Sequence, residues 1–265
     1  MKMFRNAALC AALTLGLPAA AFSDDIKELM ENAGKGSVTA QYSLGLCYAR
    51  GVGVDKDATE AIKWITKAAG QGYAEAQYSL GLCHVRGEGV DKDFAEAIKW
   101  FENAAAQGYA AAQYSLGVCH LKGEGVAKDF AEAVTWFRKA AGQGYAEAQC
   151  ALGVCYANGH GVDKDAAETV KWYTKAAGQG YAEAQYNLGV CYAKGEGVDK
   201  DFAEAVTWFR KAAEQGLPTE QNTLGMHYYC GYGVGKDAAE AVTWFTKAAE
   251  QGHADAQDAL KKITE

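Results

Sequence analysis

The chain has 265 residues, 49% of them hydrophobic, and 26 Lys and Arg against 33 Asp and Glu give it a formal net charge of −7. An acidic chain without a block of basic residues lacks the cations that a nucleic acid or an anionic membrane surface requires, so both are excluded as partners.

In chain order, residues 1–23 come first. Lys2 and Arg5 precede an apolar run from Ala7 to Leu17, followed by Pro18 and small residues. Ala19-Ala20-Ala21 or Ala21-Phe22-Ser23 offers the small-x-small cleavage site of a secretory signal. The run is too short and too broken to span a bilayer, and no later segment could, so the chain is not expected to be an integral membrane protein. Cys10 lacks the flanks of a lipoprotein cleavage box. An exported protein, periplasmic or secreted, is the expectation. Loss of Lys2 and Arg5 would take the charge from −7 to −9.

Residues 24–36 read as a capping helix, because Ile26 to Ala33 aligns with the second helix of the repeat that follows, Ile62 being the counterpart of Ile26. From 37 to 252 a unit of 36 residues recurs six times without insertion: Gly36, Gly72, Gly108, Gly144, Gly180, Gly216 and Gly252 mark it. A fixed period of this size means a solenoid, whose units bury their apolar faces only against neighbours. Within the unit from Gly72 to Gln107, Ala74 to Val85 reads as a first helix with Ala76, Leu80, Cys83 and His84 on one side. Gly87 and Gly89 end it. Asp93, with Glu96 three residues on, predicts a capping box at the start of a second helix, repeated at Asp57, Asp129, Asp165, Asp201 and Asp237. Ala97, Ile98, Trp100, Phe101, Ala104 and Ala105 form its buried stripe. Gly81 in mid-helix costs about 1 kcal/mol against alanine; close approach of the second helix, with Trp100 packed into the notch, is the expected compensation. Residues 253–265 close the array with a first-type helix bearing Asp258, Lys261 and Lys262. The fold class is all-α, a solenoid of helix-turn-helix repeats between capping half-units.

Cys47, Cys83, Cys119, Cys155 and Cys191 occupy one repeat position, filled by His227 in the sixth unit. Equivalent positions in neighbouring units lie roughly 8–10 Å apart, too far for a disulfide, whose Cα atoms stand about 4.4–6.8 Å apart. Free thiols are predicted, with the ladder acting as small buried hydrophobes. Cys150 and Cys230 break the ladder and are expected to face solvent; a thiol there would be open to a mixed disulfide with a partner. His84 and His120 replace the tyrosine seen at Tyr48, Tyr156 and Tyr192 and read as core residues hydrogen-bonded locally.

The period, the LGxCYxxGxGVxKD turn and the W-x₂-KAAxQG run resemble the Sel-one-like repeat (SLR) family, relatives of tetratricopeptide repeats, from about Ile26 to Ile263. The resemblance implies a right-handed α/α superhelix that assembles protein complexes, with its first helices lining a concave surface. It reaches further to the bacterial helical cysteine-rich proteins, which close each repeat with a disulfide between its two helices; the second helices here carry no cysteine. That subgroup implies an alternative function, a penicillin- or cell-wall-fragment-binding protein with weak β-lactamase-like activity.

On the first helices, the side opposite the Leu80 stripe carries Tyr42, Tyr78, Tyr114, Cys150, Tyr186 and Asn222 in one row. A second row runs Leu46, Leu82, Val118, Val154, Val190 and Met226, with Arg50, Arg86, Lys122 and Lys194 beside them. Tyr229 joins them in the divergent sixth unit. An amphipathic helix facing plain water needs no such residues on its outer side. Either the rows anchor an extended peptide or partner loop, with tyrosines as hot spots, or they pack between successive first helices.

No Ser-x-x-Lys, Gly-x-Ser-x-Gly, His-Glu-x-x-His or Walker loop is present. Gly231 to Asp237 brushes against a phosphate loop, but an aspartate at the helix start occupies the amides a phosphate would need. His227-x-x-Cys230 offers two ligands where a structural zinc takes four. The expectation is a mostly monomeric, non-enzymatic scaffold for a protein or peptide, without metal or cofactor.

Overall fold

The computed structural model describes residues 23–264. Residues 1–22 of the expected signal peptide lie outside the described residues, and Ser23 is the first residue of a helix. Among the described residues there are fourteen helices and no strand. They fall into two compact units, Met1–Asp129 and Phe130–Glu265. The first holds α1 (Ser23–Gly34), α2 (Val38–Arg50), α3 (Ala58–Gly70), α4 (Ala74–Arg86), α5 (Phe94–Ala106) and α6 (Ala110–Lys122). The second holds α7 (Phe130–Gly142), α8 (Ala146–Asn158), α9 (Ala166–Gly178), α10 (Ala182–Lys194), α11 (Phe202–Ala213), α12 (Pro218–Cys230), α13 (Ala238–Glu250) and α14 (Ala254–Thr264). Within each unit a helix packs on the helices before and after it in the chain, so α4 touches α3 and α5, and α12 touches α11 and α13.

Local chemistry sets the helix ends. The first helix of a hairpin stops at a left-handed glycine: Gly87 has φ 72°, a conformation that a Cβ would strain. The Cys83 carbonyl then accepts two N–H groups, from Gly87 at 2.8 Å and from Glu88 at 3.1 Å. The second helix starts at Asp93, whose carboxylate accepts from the Glu96 N–H at 3.0 Å. The return half of the predicted capping box does not form here. The Asp93 N–H donates instead to the His84 carbonyl of the preceding helix at 2.9 Å, and the same tie joins Asp201 to Tyr192. Glu96, released from the cap, takes the Lys99 ammonium at 2.8 Å. Its equivalents Glu168 and Glu204 each accept the indole N–H of the tryptophan four residues on, at 3.0 Å.

That indole bond corrects the expected packing of the mid-helix glycine. Trp100 is only half-buried. It is Phe101, 1% exposed, that fills the notch: a Cβ built on Gly81 would stand 2.5 Å from the Phe101 ring and 3.2 Å from the Ala97 carbonyl. Phe209 stands likewise against Gly189, and Tyr173 against Gly153. At Trp172 and Trp208 the indole stays half-buried on its N–H bond, while the residue after it reaches the core.

A second device recurs at Gln41, Gln77, Gln149, Gln185 and Gln221. Gln77, 7% exposed, donates to the Ala69 carbonyl at 3.2 Å and accepts from the Gln107 amide at 2.8 Å. Gln185 does the same with Ala177 at 3.2 Å and Gln215 at 2.8 Å. Each buried amide thus gives a second hydrogen bond to a carbonyl near the end of the preceding helix and is itself satisfied from the end of the second helix of its own hairpin.

Candidate functional site

Most residues of the predicted rows are half-buried, and Met226 at the end of the second row is 42% exposed. In the first unit, Tyr42 is half-buried, with its hydroxyl 2.9 Å from Ser79 Oγ on α4 and its ring edge-on to Tyr73 at 5.4 Å. Burial raises the phenol above its ordinary pKa, and the hydrogen bond to Ser79 opposes that. Tyr78 rests against Phe101 at 5.7 Å and Tyr109 at 5.2 Å. In the second unit, Tyr186 lies 5.5 Å from Phe209. Asn222 is half-buried and its side-chain oxygen has no partner. Arg50, Arg86, Lys122 and Lys194 are exposed, Arg86 and Lys194 lying 3.8 Å from Glu88 and Glu196. Tyr229 is 39% exposed.

Four of the predicted residues converge. Leu82, Tyr114, Val118 and Lys122 line one cavity of about 230 Å³, together with Val85, Phe94, Phe101, Ser115, Cys119 and Glu124. The second unit repeats this hollow in phase, at positions two repeats further on. A cavity of about 440 Å³ is lined by Ala157, Ala166, Tyr173, Asn187, Val190 and Cys191, the counterparts of Val85, Phe94, Phe101, Ser115, Val118 and Cys119. Two repeats beyond that, Met226 and Tyr229 border a cavity of about 340 Å³ with Phe245, Ala259 and Ile263. In the hairpins between, rings occupy the space. Phe130 stacks on His160 at 4.6 Å with planes 7° apart, and Phe202 stacks on Tyr232 at 5.7 Å. The residue inside the Gly-x-Gly turn therefore separates open from filled, Glu124 and Glu196 beside the hollows and His160 and Tyr232 where rings stack, and sequence reasoning missed it. The available signal was an aromatic inside the Gly-x-Gly turn, His160 or Tyr232, paired with phenylalanine at position 130 or 202.

The thiols differ in part from expectation. Cys119, Cys155 and Cys191 are free and buried, Cys47 is buried, and Cys83 is half-buried. Burial pushes the Cys119, Cys155 and Cys191 thiols up to about 11. Cys230 is exposed. Cys150, expected at the surface, is 2% exposed, and its thiol is pushed up to about 12. Tyr173, Ala184 and Leu188 close over it. His84 and His120 also depart from the reading: the Nδ1 atom of each is buried without a hydrogen-bond partner. No cluster of three or more His, Cys, Asp or Glu suited to a metal exists among the described residues, and His227 Nδ1 lies 3.0 Å from the Tyr232 carbonyl.

The Sel1 repeat profile matches residues 38–73, 74–109, 110–145, 146–181, 182–217 and 221–253. The chain belongs to the Sel1-repeat family. Among solved Sel1-repeat structures, it is 41% identical to c5321, a protective antigen of uropathogenic Escherichia coli with an SLR fold, at a TM-score of 0.84. That match covers 89% of this chain and 51% of the antigen, so the chain spans about half of that relative's length. A Sel1 repeat protein from Oxalobacter formigenes is 33% identical, with a TM-score of 0.81 over 92% of this chain and 96% of the other. A Sel1-repeat structure from Klebsiella pneumoniae, 21% identical over 77% of this chain and 99% of the other, shares the fold at a TM-score of 0.51. No match is found among curated protein sequences. Sel1 repeats form a scaffold that commonly mediates protein interaction. No helix among the described residues is long and apolar enough to cross a membrane.

Proposed function

We propose that the chain is an exported, non-enzymatic and mostly monomeric scaffold that binds an extended peptide or a loop of a protein partner along its first helices. The observation that carries the reading is the hollow repeated in phase, apolar at its floor and bordered by Lys122 in one unit and by Tyr229 in the other. An extended peptide advances about 3.3 Å per residue, and hollows spaced along a stack of hairpins suit side chains spaced along such a strand. Lys2, Arg5 and the apolar run after them support export. The row tyrosines contribute more as packing than as free anchors, since Tyr78 and Tyr186 rest on Phe101 and Phe209. The test therefore uses exposed positions. Lys122→Glu, Lys194→Glu and Tyr229→Ala together should abolish capture of partners from an envelope extract by the immobilised chain, with the circular dichroism spectrum unchanged. Capture of the same proteins by the variant at unchanged yield would refute the placement.

A further inference from the structure

We infer that the hollow at Ala166 is a socket for an aromatic side chain of the bound peptide. The inference deepens the peptide-scaffold reading and rests on it. The chain itself shows what the socket takes. Three hairpins open their second helix with Phe94, Phe130 or Phe202, and in each the ring is used. It stacks on His160 or on Tyr232, or lies under an ammonium: Lys92 Nζ stands 5.0 Å from the Phe94 centroid and Lys200 Nζ 4.7 Å from that of Phe202. At Ala166 the ring is missing but its setting is kept. Lys164 holds the position of Lys92 and Lys200, and Glu196 that of Glu124. The cavity measures about 440 Å³, against about 230 Å³ where Phe94 is present.

The walls have also changed in a direction that suits a peptide. Tyr173 replaces Phe101 and Asn187 replaces Ser115. Tyr173 is 5% exposed as a residue and lines the cavity, where its hydroxyl adds a donor that Phe101 lacks. The Asn187 carboxamide offers both a donor and acceptor and makes only a 4.0 Å contact to the Cys150 sulfur, so it is available to the peptide bond beside the inserted ring. A ring under Lys164, a carbonyl on Tyr173 and an amide on Asn187 describe an aromatic residue in an extended peptide. They do not describe an aliphatic residue, which gains nothing from the cation.

The probe is N-acetyl-phenylalanine methylamide, followed by saturation-transfer NMR on the full chain, with N-acetyl-leucine methylamide as comparator. The phenylalanine ring protons should receive saturation, and the leucine methyls should receive several-fold less. Ala166→Phe places the chain's own ring in the socket and should remove the transfer while the thermal midpoint holds or rises. Lys164→Ala, at an exposed position, should weaken the transfer severalfold without touching the core. Absent ring saturation, or equal saturation in the wild type and Ala166→Phe, overturns the socket. The probe needs no partner protein, so loss of the socket leaves the capture experiment to judge the scaffold reading separately.

Discussion

The Cys150 thiol lies among Tyr173, Ala176, Ala184 and Leu188, in the core of the second unit. Burial disfavours the thiolate, the nucleophilic form, and holds its pKa at about 12. Cys230, the last residue of α12, is exposed. Accessibility thus separates two cysteines that the repeat phase groups together as exceptions to the ladder. A thiol reagent such as DTNB, applied to the native chain starting at Ser23, should label one cysteine in a fast phase. Cys230→Ser should remove that phase and Cys150→Ser should leave it intact; a second fast thiol that vanishes with Cys150→Ser would contradict the burial. Cys150 was misplaced in the sequence reading because its cover comes from other helices. Tyr173 on α9 and Leu188 on α10 close over it, and no pattern inside α8 reports them.

At the scale of the helix, the mid-helix glycines trade local propensity for interhelical distance. Gly189 gives up about 1 kcal/mol of helix propensity, and a Cβ there would meet the Phe209 ring at 2.6 Å and the Ala205 carbonyl at 3.1 Å. A ring wedged in a packed core cannot retreat without opening space elsewhere, so Gly189→Ala should destabilise the chain by about 1–3 kcal/mol. Gly178, the last residue of α9, has nothing within 4 Å of the same Cβ, so Gly178→Ala should be neutral or stabilising, by at most about 1 kcal/mol. Urea melts of the two variants read both values, and a Gly189→Ala chain as stable as the wild type would sink the packing argument. The contrast shows what was legible. Helix positions, the Asp93-type caps and the glycine stops follow from residues within one turn of each other, and all were readable. Three features depend on which groups another helix brings near and were not. The Gly81 partner is Phe101 instead of Trp100. The Asp93 N–H turns to His84. The Gln77–Gln107 bond joins residues 30 apart. The hollow fell between these cases: its row residues were visible, but the stacking of His160 on Phe130 and of Tyr232 on Phe202, which fills the hollow elsewhere, had meaning only across hairpins.

Across the whole molecule, stacked hairpins make stability a sum of similar local terms, each repeat contributing its own and its interface with the next. The cysteine ladder lets that sum be measured through pH. Cys119, Cys155 and Cys191 have folded-state pKa values raised from 9.0 to about 11 by burial. Below the unfolded value both states hold the proton and the full stability is present. Above it the unfolded chain releases protons that the folded chain retains, so stability falls as pH rises from about 9 towards about 11, and levels once the folded thiols ionise as well. Lysine titration makes an acidic chain more negative over the same range and adds a slope of its own, so the diagnostic is a difference between variants. Cys119→Ala, Cys155→Ala and Cys191→Ala each leave a small cavity, a fixed offset that does not depend on pH, and each deletes one linked proton. Thermal midpoints measured under reducing conditions from about pH 8 to about pH 10.5 should fall less steeply in every single variant. The triple variant should flatten the slope further than any single variant, short of strict additivity because Cys155 and Cys191 share Tyr173 as a neighbour. Parallel slopes in wild type and triple variant would mean that the ladder thiols ionise as freely in the folded chain as in the unfolded one, and the buried ladder would be wrong.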